Sequence, residues 1–379
     1  SRTTCGWLDM GEQMVPDRLV TPCAAGPLSR AIARVVLLAA LVLASWAFAA
    51  ETQPAATGLQ HGVVFTDYSK LSSSSELLRR LLTPLNALRV HRSLAQTGEG
   101  LREQPIDLRQ ERFALYVPPG PAPAQGYALL VFVPPWPQAT VPQSFIRVLD
   151  RHKMIFVAAG HSGNASSVMD RRIPLALLAE QNVVGRYQVD PERIFVGGLS
   201  GGSRVALHIA LAYPDVFRGA LLNAGSDPIG DALMAIPPVD LFRRFQEGTR
   251  LVYLTGGKDQ INRNKDMQSR RSLQAWCVFD LADESMAMPW AGHQLADPAA
   301  LNHALDTLEK PAHPDSERLA TCRKRIDQDL AAEEKQLGKL MANHQDDAAR
   351  ALLGRIDARF GGLADPQSVR WLDTLDAHQ

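Results

Sequence analysis

An excess of charge of either sign is missing: 40 Lys and Arg residues balance 40 Asp and Glu residues across 379 positions. No long run of one sign interrupts the body of the chain, so no basic stripe of the kind that tracks a nucleic-acid backbone is visible and no polyanion partner is expected. Cysteine is scarce. Four are present, Cys5, Cys23, Cys277 and Cys322, and none has the spacing of a structural zinc site. No motif repeats at a fixed period, which excludes a solenoid or propeller array. No G-x-G-x-x-G opens the domain and no lysine stands in a P-loop position, so the glycine-rich stretches are not nucleotide cradles.

What is present is a core-forming chain, 46% apolar, long enough for one large domain with additions at its ends. Near the start, Arg30 and Arg34 precede an apolar run from Val35 to Ala44, and Ala47-Phe48-Ala49 stands before Ala50. This is the pattern of a secretory signal with an A-x-A cleavage site. An uncleaved anchor is the alternative, since Ile32 to Ala50 nearly suffices to span a bilayer. Residues 1–30 then read as an extension outside the fold, with the translation start expected at Met14 or beyond. Export places the chain where disulfides form, and only Cys277 and Cys322 lie beyond the cleavage point. One bridge between them is expected; two unrelated buried thiols are the other reading.

Four segments follow from the texture of the chain: 1–50, start and signal or anchor; 51–110, a leader; 111–310, the main domain; 311–379, a helical appendage. In the leader, serines 72–75 can cap a helix, and ELLRRLLTPLNALRVHRSLA has leucines at helical spacing with an expected kink at Pro84. From Arg112 onward come short apolar runs: FALYVP, ALLVFVP, MIFVAAG, RIFVGGLS, GALLNAGS, RLVYLTGG and SMAMPW. Helix-compatible stretches such as IPLALLAEQNVVGRY separate them. That alternation predicts an α/β fold, a mostly parallel, doubly wound sheet with helices on both faces. Beyond Pro311 the strands stop, and Leu319, Cys322, Ile326 and Leu330 share one helical face.

Ser200 lies in GGLSGG, between the strand RIFVGGL and the helix SRVALHIALAYP. A serine on so sharp a corner is held in strained backbone, and side chains at 198 and 202 would collide, which accounts for glycine at both. A nucleophilic serine needs a base and an acid that orients it, supplied from later strand ends in the order serine, acid, histidine. RLVYLTGG ends in Lys258-Asp259 and SMAMPW in Ala291-Gly292-His293. Asp227 and Asp283 are substitute acids. Among other histidines, His208 and His303 fall on helices, and His161, after an earlier strand, is the rival base.

From Arg112 to Glu309, about half the chain, the sequence resembles an α/β-hydrolase. The GGLSGG elbow, YPDVFRGALLNAGS and the GGKD…AGH ending are similar to the poly(3-hydroxybutyrate) depolymerase and feruloyl esterase branch of secreted esterases. The resemblance implies an eight-stranded, mostly parallel sheet, no cofactor, a small or polymeric ester as substrate, and Ser200, Asp259 and His293 as nucleophile, acid and base. One departure stands out. Where relatives carry His-Gly in the oxyanion loop, this chain reads VFVPPWPQ from Val131 to Gln138. Pro134, Pro135 and Pro137 have no N–H, so the expected oxyanion donors are Gly201 and Trp136, with Gln138 farther along. A loop so depleted of donors keeps open a non-catalytic binding protein, and the triad alone also fits an exported peptidase. Trp136 and Trp290 are expected to wall the substrate pocket with His161 nearby, and the loops HSGNASSVMD and SDPIGDALMAIPPVD to shape it.

Overall fold

A computed structural model describes residues 56–377. The signal-like segment and Cys5 and Cys23 lie outside the described residues. Eight strands form one sheet in the order β1-β2-β4-β3-β5-β6-β7-β8. They are β1 Gly58–Val63, β2 Phe113–Val117, β3 Tyr127–Val133, β4 Met154–Ala159, β5 Val189–Leu199, β6 Gly219–Asn223, β7 Arg250–Leu254 and β8 Leu281–Asp283. β2 runs antiparallel to both β1 and β4, and every other pairing is parallel. This is the α/β-hydrolase arrangement.

Strand β3 shows why the sheet is covered on both sides. Every residue from Tyr127 to Val133 is buried. Successive side chains point to opposite faces, and Leu129, Val131 and Val133 join one apolar cluster while Ala128, Leu130 and Phe132 join the other. Helices α4 (Ile173–Arg186) and α5 (Gly201–Ala212) cover the first face. Helices α3 (Ile146–His152) and α8 (Pro298–Leu308) cover the second. Among the described residues no salt bridge holds Glu180, on α4, and the carboxylate of Asp215 is near it. Burial raises its carboxyl to about 7. Because the folded state then binds a proton that the unfolded state has released, Glu180 lowers stability progressively as pH rises from about 4.5 to about 7. Glu180→Gln should therefore raise the Tm at pH 8 and leave it nearly unchanged at pH 4, and equal shifts at both pH values would contradict this.

Three elements depart from the sequence reading. The sheet begins inside the leader, since β1 pairs with β2 well before residue 111. Pro84 starts a helix rather than kinking one: α1 (Ser74–Leu81) ends at Leu82, and α2 (Pro84–Thr97) is capped by Thr83 with Pro84 in its first turn, where no N–H is needed. SMAMPW is not a strand. The last strand is Leu281–Asp283, and the Asp283 carboxylate then accepts the Ser285 N–H at 3.1 Å, turning the chain into a short 3-10 helix, Ser285–Ala287.

Neither end of the described chain hangs free. Arg80 on α1 donates to Asp215 at 2.7 and 3.0 Å and lies 4.6 Å from the Tyr213 ring centroid. The helices α6 (Val239–Gly248), α7 (Gln260–Ala275), α9 (Ser316–Ala342), α10 (Asp346–Phe360) and α11 (Gln367–Asp376) complete the fold. Leu319, Ile326, Leu353 and Ile356 of the tail enter the same cluster as Val205 and Phe242. Asp357 on α10 accepts the buried N–H of Leu85 at 3.0 Å, tying tail to leader.

Cys277 and Cys322 are bonded, with α-carbons 5.7 Å apart across 45 residues. The bridge joins the end of α7 to α9. Closing a loop of that length contributes about 4 kcal/mol in the chain-entropy treatment. The double variant Cys277→Ser, Cys322→Ser should unfold at correspondingly lower urea concentration. An unchanged midpoint, or two free thiols in a non-reducing peptide map of the wild type, would remove the bridge from the account of stability.

Candidate active site

Ser200 occupies the corner between β5 and α5 with φ 58° and ψ −119°, a conformation that L-residues avoid. The corner is affordable only because its neighbours are bare. A Cβ on Gly198 would strike the backbone of Gly202, and one on Gly202 would strike the carbonyl of Val133 at the end of β3. The Ser200 N–H is held by the Asn223 carbonyl on β6 at 2.9 Å. The side chain therefore projects above the carboxyl edge of the sheet.

Asp259 and His293 arrive at the same edge from β7 and from the loop after β8. Asp259 caps α7, where its carboxylate accepts the Asn262 N–H. Ser200 Oγ lies 2.9 Å from His293 Nε2, and His293 Nδ1 lies 2.6 Å from Asp259 Oδ2. Asp259 can only accept, so the tautomer with hydrogen on Nδ1 fits and leaves Nε2 to take the serine proton. Burial pushes the Asp259 carboxyl up, but hydrogen bonds from His293 and Asn262 outweigh it and hold the group below its usual range. A serine so placed can be deprotonated as it attacks an electrophilic carbon.

Asn262 was not singled out by the sequence. Its Nδ2 donates to both Asp259 oxygens, at 3.0 and 2.8 Å, so it fixes the carboxylate that faces the imidazole. The signal was the D-x-x-N spacing at a helix start, which reads first as ordinary capping.

Among the described residues none of the rivals bonds to Ser200 or His293, although Asp227 and His208 border the cavity that opens beside Ser200. Asp227 faces Arg204 Nε at 3.4 Å, and Asp283 pairs with Arg270 at 2.5 Å. His303 pairs with Glu284 at 2.8 Å. His208 is buried with an unpartnered Nε2, and burial lowers its pKa to about 4. His161 is exposed, with Nδ1 3.7 Å from Glu111.

In the loop after β3, the Trp136 ring bonds Thr140 through Nε1 at 3.0 Å and lies 6.5 Å from the Phe132 ring. Among the described residues no acceptor takes the Trp136 backbone N–H. Gly201 opens α5, where the first N–H groups have no partner in the helix and the dipole favours negative charge.

A cavity of about 800 Å³ opens beside Ser200 and Gly201. Val168 and Met169 wall it from one loop, Leu233 and Met234 from another, and Leu81 and Leu82 from the end of α1. Both loops expected to shape the pocket do so, and the leader joins them. Trp136, Trp290 and His161 do not line it. Trp290 is 80% exposed with Lys258 Nζ 5.6 Å from its ring, because the turn after β8 directs it to solvent. Among the described residues no cluster of three or more His, Cys, Asp or Glu side chains could hold a metal ion, and no helix is long and apolar enough to cross a membrane.

Residues 151–295 match the family described as Esterase PHB depolymerase. The chain resembles esterases of that type over the segment that carries all three triad-like residues. No curated protein matches it. Among solved structures it is similar to a protein from Bacteroides ovatus ATCC 8483 assigned as a dipeptidyl aminopeptidase IV (16% identity, 52% of this chain and 33% of that one, TM-score 0.38). It is also similar to a thermostable esterase (15%, 54% and 60%, TM-score 0.37). A third is the S-formylglutathione hydrolase of Staphylococcus aureus (12%, 53% and 93%, TM-score 0.40). The match thus spans a third and three fifths of the first two proteins' lengths.

Proposed function

We propose that the chain is an exported serine hydrolase that cleaves carboxylic esters through an acyl-enzyme. The observation that carries this reading is the continuous path Ser200–His293–Asp259, at 2.9 and 2.6 Å, starting from a strained elbow. The family match over residues 151–295 supports an ester as the substrate. Export rests on the signal-like segment ending near Ala49 and agrees with the Cys277–Cys322 bond.

In the first half-reaction Ser200 Oγ bonds to the ester carbonyl carbon while its proton passes to His293 Nε2. Asp259 keeps the imidazole in the right tautomer and stabilises the imidazolium. The N–H groups of Gly201 and Trp136 receive the developing oxyanion. Collapse of the adduct breaks the bond to the alcohol, which leaves with the proton from His293. Water then attacks the acyl group by the same route and releases the acid. These steps draw on no cofactor. The apolar walls around Leu81, Leu82, Val168, Met169 and Leu233 suit the acyl side of the ester.

A fluorophosphonate probe tests the reading without knowledge of the substrate. The wild type should be labelled at Ser200 and should hydrolyse p-nitrophenyl esters. Absence of both in folded protein would leave a binding protein on this fold, and cleavage of peptides in preference to esters would make it a peptidase.

A further inference from the structure

Prolines at 134, 135 and 137 leave the loop after β3 with carbonyls to place and few N–H groups to anchor it. A neighbouring segment supplies the donors. The Asn164 N–H reaches the Pro135 carbonyl at 3.0 Å, and the His161 N–H reaches that of Pro137 at 2.7 Å. Gly163 passes so close that a Cβ there would sit 2.7 Å from the Trp136 carbonyl carbon. The remaining carbonyl, that of Pro134, accepts from Arg172 Nη2 at 3.0 Å, while Nε of the same guanidinium donates to the Ser162 carbonyl at 2.9 Å.

We infer that Arg172 is a positioning residue for ester hydrolysis: by tying the Pro134 carbonyl to that of Ser162 it holds the peptide unit just before the one that carries the Trp136 N–H, and together with the Asn164 N–H on the Pro135 carbonyl it keeps that N–H aimed at the oxyanion. The inference rests on the function proposed above. Arg172 is 3% exposed, lines the cavity with Ser200 and Gly201, and no acidic group among the described residues pairs with it. Burial lowers its pKa to about 10, which still leaves it a cation at neutral pH. A buried guanidinium without a counter-ion is costly, and here its charge is spent on carbonyls of the two loops that border the nucleophile. It closes a π-helical turn, Val168–Arg172, immediately before α4, a local widening of the kind that often re-aims a side chain at a functional site. Lysine cannot replace it, because a single ammonium lacks the rigid fork that serves two acceptors at once.

The test is kcat per active site, titrated with the fluorophosphonate, in full-length Arg172→Lys and Arg172→Gln. A fall of about 10²- to 10³-fold is expected, the size of one lost oxyanion donor, with KM moving less than about threefold. Affinity for a trifluoromethyl ketone, which forms the tetrahedral adduct, should fall by the same factor as kcat/KM. A residue that only supports folding would lower the Tm and the titratable fraction but not kcat per titrated site. Folded Arg172→Lys with wild-type kcat overturns the inference while leaving the serine hydrolase in place; a wild type that neither labels nor hydrolyses overturns the function itself. Should neither Arg172 variant fold, Gly163→Ala displaces the Trp136 peptide from the other side and should give the same loss in kcat. Unchanged kcat there is equally decisive against it.

Discussion

Ser200→Ala is expected to lower ester turnover by about 10⁶-fold, and adding His293→Ala to it should cost almost nothing more. The reason lies in the geometry. Ser200 Oγ is useful only while His293 Nε2, 2.9 Å away, can take its proton, and the imidazole is useful only while it has a serine to serve. Residues that act as one unit lose their function together, so the single and double variants should nearly coincide. Asp259→Asn should cost about 10⁴-fold, because an amide can donate to Nδ1 and so favour the wrong tautomer while leaving the packing intact. What survives, roughly 10³- to 10⁴-fold over water, belongs to the oxyanion donors and to binding. Asp283→Asn is the control, since its carboxylate is engaged with Arg270 at 2.5 Å. Full activity in Asp259→Asn, with loss in Asp283→Asn, would move the acid to the other strand end.

The main features of this site were legible because each depends on local sequence. Gly198 and Gly202 mark the elbow since any side chain there meets backbone, Asp259 follows the apolar strand β7, and His293 comes from the loop after β8, which pairs with β7. The misplacements have equally physical origins. SMAMPW has the apolar content of a strand, but the Asx turn at Asp283 and the missing N–H of Pro289 end the ladder before it. Trp290 reads as a pocket wall by its nearness to His293 in sequence, yet the turn exposes it. Leu81 and Leu82 sit over a hundred positions before Ser200, and the packing of Arg80 onto Asp215 and Tyr213, with Leu77 and Leu81 in the core, brings that helix to the cavity. Long-range docking of this kind leaves no periodic trace. Arg172 and Asn262 were missed for another reason: their partners are carbonyls and a carboxylate fixed by loops, which spacing alone does not reveal.

Trp136→Pro should lower kcat by about 10²- to 10³-fold while Trp136→Phe stays close to the wild type. The two substitutions separate the residue's two parts. Phenylalanine removes the Nε1 bond to Thr140 and shrinks the ring beside Phe132, but it keeps the backbone N–H that no acceptor among the described residues takes. Proline keeps the chain's course in a loop already proline at three of four positions and removes that N–H along with the ring, so its loss beyond that of Trp136→Phe measures the N–H. The loss should fall on kcat rather than KM, because the donor meets a full charge only when the carbonyl carbon has become tetrahedral. It should also be nearly non-additive with Arg172→Lys: once the N–H is gone, holding its peptide plane in place gains nothing. Circular dichroism and an intact Cys277–Cys322 bond would establish that the proline variant is folded. Equal kcat in folded Trp136→Pro and wild type would place the second oxyanion donor outside this loop and remove the basis for a positioning role of Arg172.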